Sequence, residues 1–100
     1  MPDSEHLNPH QRDTLVRIFE HPVGHNIEWP DVVSLLEAVG SVDQRHDGSH
    51  VVHVGTEEEV LTRPEHKGLD AQQVLDLRRM LTGAGYLALV RELQSRGKEV

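Results

Sequence analysis

Two short segments hold the side chains that could act on a phosphate ester. They are Arg45-His46-Asp47-Gly48-Ser49-His50 and Pro64-Glu65-His66-Lys67-Gly68. An imidazole that titrates near neutral pH can take a proton from an attacking oxygen and give one to a leaving oxygen. A nearby lysine or arginine can neutralise the charge that develops on the phosphate. The two segments together therefore contain the groups needed for RNA cleavage without a metal.

Four helices are predicted around these segments. Asn8 can cap a helix over residues 9–20, because a proline follows it and Gln11 can complete a capping box. A second helix over residues 30–39 has apolar residues at helical spacing, and Gly40 ends it. Asp70 can cap a third helix over residues 71–82, and a short last helix covers residues 87–96.

The patterning between Gly40 and Pro64 is typical of strands. Residues 42–45, 50–54 and 58–63 are the three predicted strands, and Asp47-Gly48 is a hairpin signal between the first two. Such short connections predict an antiparallel meander. We therefore expect an α+β fold in one domain, residues 1–100, with the sheet packed against helices. The expected core is Leu15, Ile18, Phe19, Val32, Leu35, Leu36, Val74, Leu77 and Leu81.

Composition limits the classes of function. The chain has 100 residues, no cysteine, and a net charge of −7 with histidines neutral. Cysteine-based zinc sites and disulfides are therefore excluded. No apolar run is long enough for a membrane span, and the amino terminus lacks signal-peptide features, so we expect a cytoplasmic protein without membrane contacts. Residues 71–100 carry five Lys/Arg and three Asp/Glu, a net charge of +2, so a modest basic patch could form there with Arg45, Arg63 and Lys67.

The order of the motifs resembles that of the HicA toxin family. In that family a helix ending in glycine is followed by a strand, a Gly-Ser-His segment, a Pro-x-His-Lys segment and a last helix. Here Gly40, Gly48-Ser49-His50 and Pro64-Glu65-His66-Lys67 stand in that order. The resemblance covers residues 29–84, so residues 8–28 form an additional amino-terminal helix and link, and residues 85–100 an additional carboxy-terminal helix.

The resemblance implies a double-stranded-RNA-binding-domain-like fold and a ribonuclease toxin with a HicB-type antitoxin as partner. It also implies that His50 is catalytic, because His50 stands where the family has its catalytic histidine. His66 is the candidate second proton-transfer group, and Lys67 the candidate phosphate-neutralising group. The candidate RNA-binding residues are Arg45, Ser49, Arg63 and Lys67.

A different class of function is compatible with the same fold. The negative charge is the wrong sign for a protein that binds phosphates, and Glu57-Glu58-Glu59, interpreted as a solvated turn, would repel RNA. A catalytically silent protein-interaction module is therefore the alternative. A metal site at His46, His50 and His53 is not favoured, because side chains an odd number of residues apart on a strand point to opposite faces. No cofactor is expected.

Overall fold

The computed structural model describes residues 7–20, 27–65 and 68–98. In chain order the elements are α1 (Pro9–Ile18), α2 (Trp29–Val39), β1 (Ser41–Gln44), β2 (Ser49–Val54), β3 (Glu57–Thr62), α3 (Ala71–Gly83) and α4 (Leu87–Lys98). This is the α+β class that the sequence predicts, with a three-stranded antiparallel sheet in the order β1-β2-β3. Each strand begins and ends one residue earlier than predicted, except that β2 ends at Val54 as expected. No helix in these three ranges is long and apolar enough to cross a membrane.

Capping boxes begin two of the helices; the box at Asn8 was predicted, and at Asp70 the cap was predicted without its partner Gln73. The Asn8 side chain accepts a hydrogen bond from the Gln11 N–H at 2.7 Å, and the Gln11 side chain accepts one from the Asn8 N–H at 3.0 Å. Asp70 and Gln73 make the same reciprocal pair at the start of α3. Each box satisfies backbone donors that the first helical turn leaves without partners.

Both hairpin turns rely on a glycine with positive φ. In the first turn, the Gly48 N–H donates to the Arg45 carbonyl at 3.1 Å, and the Arg45 N–H donates to the Ser49 carbonyl at 2.8 Å. With Gly48 at φ 88°, this is the pattern of a type I turn followed by a bulge. Gly55 has φ 60° in the two-residue turn between β2 and β3. The predicted Asp47-Gly48 hairpin is therefore confirmed.

Gly40 ends α2 as predicted, but the physical reason differs from a usual glycine cap. Its φ is −166°, which any residue can adopt. A Cβ at this position would lie 1.9 Å from the carbonyl oxygen of His53. Glycine is therefore required at position 40, because the backbone at the end of α2 is in direct contact with the backbone at the end of β2.

The hydrophobic core lies between one face of the sheet and the helices. The sheet contributes Val52, Val54 and Leu61, and all three side chains are buried. Every residue that the sequence analysis assigned to the core is buried as well, which confirms the helix faces. The opposite face of the sheet carries the alternate residues of each strand.

Arg78 joins α3 to the end of α1. Its guanidinium donates to the carbonyl of Ile18 at 3.0 Å and to that of Glu20 at 2.9 Å, and it lies 5.9 Å from the centre of the Phe19 ring. These bonds satisfy carbonyls at the carboxyl end of α1 that have no partner within the helix. Arg78, one of the basic residues counted for the predicted basic patch, therefore makes its hydrogen bonds within the chain.

The segment Glu57-Glu58-Glu59 forms the first half of β3, and the expectation of a solvated turn is wrong. Glu57 and Glu59 alternate with Glu58 across the strand, and both are half-buried on the helix-covered face. Glu59 lies 4.0 Å from the guanidinium of Arg79, and Glu58 faces the other side. The turn is instead made by Gly55 and Thr56, so the negative charges are divided between the two faces of the sheet.

A pH-dependent contact links α1 to α2. His10 Nε2 lies 2.8 Å from a carboxylate oxygen of Asp31, and this hydrogen bond and the negative charge of Asp31 raise the pKa of His10 above its ordinary value of 6.5. A raised folded-state pKa means that the stabilisation is fully present below pH 6.5 and is lost as pH rises through the folded value. We expect melting temperature to fall across this window by more in the wild type than in Asp31→Asn. Equal slopes in the two proteins would contradict this assignment.

Candidate functional site

His50 lies on the central strand of the sheet, near its start. It is paired with Gln44 of β1 and with Leu61 of β3. Its side chain is on the same face as Val52 and Val54, which are buried beneath the helices. The sequence predicts that the turn at Gly48 places His50 at the edge of the sheet, and this is wrong, because β2 is the central strand and His50 is paired on both sides, on the helix-covered face.

The imidazole of His50 packs against Trp29 at the start of α2. The two ring centroids are 5.0 Å apart, and the rings meet edge to face at 72°. His50 is half-buried, and its Nδ1 is buried without a hydrogen-bond partner among the described residues. The side chain therefore makes apolar contacts on one side and remains partly accessible on the other. Its removal would affect packing as well as any proton transfer.

Ser49 is engaged by the turn that precedes it. Its hydroxyl donates to a carboxylate oxygen of Asp47 at 2.6 Å, and its N–H donates to the same oxygen at 2.9 Å. These hydrogen bonds, helped by the positive charge of Arg45, lower the pKa of Asp47. A charged carboxylate is therefore held beside the predicted RNA-binding hydroxyl, and it opposes the approach of a phosphate.

The two predicted RNA-binding arginines lie on different sides of the sheet. Arg45 is exposed and continues the alternation of Ser41 and Asp43, which puts it on the uncovered face. Arg63 follows β3 on the same side as Leu61 and lines a groove that Trp29 also lines. The structure therefore brings Arg63, and not Arg45, to the side of the sheet on which His50 lies.

The groove beside Trp29 has a volume of about 650 Å³. Its lining combines apolar side chains with a few polar ones and includes one residue of each charge: Gln11, Trp29, Pro30, Val33, Ser34, Glu37, Ala38 and Arg63. Gln11 is fixed there, since its amide donates to the carbonyl and the hydroxyl of Ser34. Trp29 is only 7% exposed, so it serves mainly as packing.

The second motif falls partly outside the described residues. His66 and Lys67, the predicted second proton-transfer group and phosphate-neutralising group, lie outside the described residues. The flanking residues Pro64, Glu65 and Gly68 line a cavity of about 320 Å³ together with Arg63 and the start of α3. Arg63 therefore lines both the groove beside Trp29, whose ring packs against His50, and the cavity beside the second motif.

Two further histidines lie near His50 in sequence, His46 in the first motif and His53 on β2. His53 is exposed on the opposite face, where its Nε2 lies 2.8 Å from a carboxylate oxygen of Glu58. His46 is exposed in the turn. Among residues 7–20, 27–65 and 68–98, no three metal-binding side chains lie close enough to hold an ion. The odd spacing of His50 and His53 thus has the effect predicted from the sequence.

The basic residues of α3 do not add to the site. Arg78 is committed to the end of α1, and Arg79 lies 3.2 Å from Asp76. Both arginines of α3 therefore make contacts within the chain, whereas Arg63 lines the groove on the side of the sheet on which His50 lies. The contact of Trp29 with His50 was not predicted, because no local pattern signals a contact between residues so far apart in sequence.

Comparison of the chain with protein-family models, with curated proteins and with solved structures gave no match.

Proposed function

We propose that this chain is a HicA-like RNA-binding protein with a double-stranded-RNA-binding-domain-like fold and that it cleaves RNA as the toxin of a toxin–antitoxin pair. The observation that carries the proposal is the placement of His50 and Arg63 at the same end and on the same side of the sheet. The elements from α2 to α3 also follow the order on which the resemblance rests. A HicB-type antitoxin would be the protein partner.

The proposed reaction needs no metal. His50 takes the proton from a ribose 2′-hydroxyl, whose oxygen attacks the neighbouring phosphorus and breaks the bond to the 5′-oxygen. The leaving 5′-oxygen receives a proton from a second acid, the role proposed for His66. Arg63 and Lys67 neutralise the charge that grows on the phosphate. Arg45 and Ser49 would contact RNA farther from the bond that breaks.

The negative charge of the chain affects how tightly it can bind RNA. With a net charge of −7, the chain repels nucleic acid at long range, and Asp47 keeps a negative charge near the proposed site. Binding should therefore be weak and should require low salt. Lys67→Ala should weaken binding and flatten its salt dependence, because one phosphate contact is lost.

The test compares two histidines of the same strand. His50→Ala should reduce cleavage of a mixed RNA pool by about 10²- to 10⁴-fold, the usual contribution of a general acid or base. His53→Ala, on the opposite face, should leave cleavage unchanged. Because His50 packs against Trp29, His50→Gln is included as a variant that keeps much of the side-chain volume. Circular dichroism establishes that the folds match.

The outcomes separate the proposal from its competitors. Equal loss in the two alanine variants would assign the cleavage to another site, and equal activity in all proteins would assign it to a contaminant. A wild-type protein that neither cleaves RNA nor slows growth on induction would refute the ribonuclease.

A protein-interaction module is the second candidate, and the groove beside Trp29 favours it. Four of the eight residues that line the groove are apolar, and the Ser49 hydroxyl next to His50 is already engaged by Asp47. A partner encoded beside this chain should then co-purify with it, whether or not RNA is cut. Ala38→Arg should remove that partner without changing the fold, because Ala38 lines the groove from α2.

A further inference from the structure

We propose that the outer edge of β1 pairs with the same edge of a second copy of this chain, antiparallel and around a two-fold axis at Gln44. β1 is an outer strand of the sheet, since its neighbour on one side is β2 and the order is β1-β2-β3. Three of its four residues are exposed. Such an edge can accept another strand, because within residues 7–20, 27–65 and 68–98 no strand pairs with its outward backbone groups.

The hydrogen-bond pattern identifies the backbone groups that face outward. The Arg45 N–H donates to the Ser49 carbonyl, so Arg45 turns its backbone groups towards β2. In an antiparallel ladder these orientations alternate along the strand. Asp43 and Ser41 therefore also face β2, whereas the N–H and C=O groups of Gln44 and Val42 point to the free edge.

The two edges of the sheet differ in how open they are. On β3 the outward groups belong to Glu58, Val60 and Thr62 by the same alternation. The Gln73 side chain of α3 already donates to the Thr62 carbonyl at 2.8 Å. β1 contains neither lysine nor proline, the residues that commonly prevent edge pairing. β1 is accordingly the edge at which a strand can add.

Charge selects both the occupant and the register. Asp43 and Arg45 have opposite charges, and among the described residues neither lies within 4 Å of an oppositely charged group, although the positive charge of Arg45 also acts on Asp47. In a two-fold pair centred on Gln44, Asp43 of each copy faces Arg45 of the other, which gives two ion pairs. These residues occupy the close, non-hydrogen-bonded positions of the new ladder, where side chains interact most strongly.

The other registers lack this complementarity. A pair centred on Asp43 would bring the two Asp43 carboxylates together in the close position, which is destabilising. A pair centred on Val42 would place Asp43 opposite Ser41, without an ion pair. The edge of β1 is therefore complementary, in both hydrogen bonds and charge, to the same edge of a second copy in the Gln44 register.

The contact is short, and so the dimer should be weak. It falls in the class of transient contacts that bury less than about 1,200 Å². Exposed ion pairs are also screened by salt. Sedimentation velocity of the full chain at low salt should show a dimer population that rises with concentration and falls when salt is added.

Two proline variants test the hydrogen bonds. Gln44→Pro removes an outward N–H and should leave a folded monomer at every concentration. Ser41→Pro is the matched control, because Ser41 takes no part in the ion pairs and its N–H faces β2, so this variant should lower thermal stability and keep the dimer. A dimer that persists in folded Gln44→Pro would overturn the proposal. A wild-type protein that stays monomeric would overturn it as well. In that second case the edge of β1 would be open to a strand of another protein.

A charge exchange tests the register. Asp43→Arg and Arg45→Asp should each raise the dissociation constant of the dimer by about tenfold, because each replaces two attractive pairs by two repulsive ones. The double variant restores opposite charges across the axis and should recover dimerisation. Failure of the double variant to recover, with its fold intact, would rule out the Gln44 register.

Discussion

Gly40→Ala is expected to destabilise the protein by at least about 3 kcal/mol, beyond the usual range for one added methyl group. The added Cβ would lie 1.9 Å from the His53 carbonyl oxygen, 3.0 Å from the carbonyl carbon and 3.1 Å from the Cα of Val54. All three atoms belong to the backbone of β2, so no side-chain rotation can relieve the overlap. Either α2 must move away from the sheet or β2 must lose its end.

Gly48→Ala is the matched control for that experiment. Gly48 has φ 88°, but nothing lies within 4 Å of an added Cβ, so the penalty is limited to the left-handed backbone. That penalty is about 1–2 kcal/mol. Urea unfolding of the two variants measures the difference. A Gly40→Ala protein as stable as Gly48→Ala would show that the close approach of α2 and β2 is wrong.

Leu77→Ala is expected to lower the free energy of unfolding by about 2–5 kcal/mol, the usual range for a leucine truncated inside a core. Leu77 has 0% exposure and lies in the core cluster that joins α3 to the sheet and to the other helices. Its truncation leaves a cavity that tightly packed neighbours can fill only in part.

Leu75→Ala provides a comparison within the same helix. Leu75 is 43% exposed on the outer side of α3, two residues from Leu77. The change in helix propensity is the same for both variants, so the difference between them reports burial alone. Leu75→Ala should change the stability by less than about 0.5 kcal/mol. Similar losses at the two sites would indicate that the inward face of α3 is misassigned.

The sequence predicted the elements that are determined by local chemistry. The capping residues Asn8 and Asp70, the hairpin at Asp47-Gly48 and the apolar spacing of α2 and α3 each act over a few residues. The helix starts, the hairpin and the buried helix faces could therefore be predicted without knowing the rest of the chain. The interpretation of Glu57-Glu58-Glu59 as a solvated turn was wrong, because it rested on composition, whereas the strand predicted over residues 58–63 already contained Glu58 and Glu59; the turn lies at Gly55 and Thr56.

The arrangement of the candidate site depended on information that local patterns do not contain. Alternation along a strand separated His50 from His53, and this was predicted. The contact of His50 with Trp29 depends on how α2 lies over the sheet, which is set by Gly40 and by the core. Arg78 donates a hydrogen bond to the Ile18 carbonyl of α1, sixty positions away in sequence. Charge counts do not contain such a contact, and so the basic patch inferred from them included Arg78.

The contact between Trp29 and His50 also provides an optical reporter. Trp29 is the single tryptophan of the chain, so its fluorescence comes from one known position. The two ring centroids are 5.0 Å apart, so the environment of the indole includes the His50 ring. The intrinsic emission therefore reports on this contact without any label. A His50→Gln protein supplies the baseline, and a ligand that separates the two rings becomes visible as a change in emission.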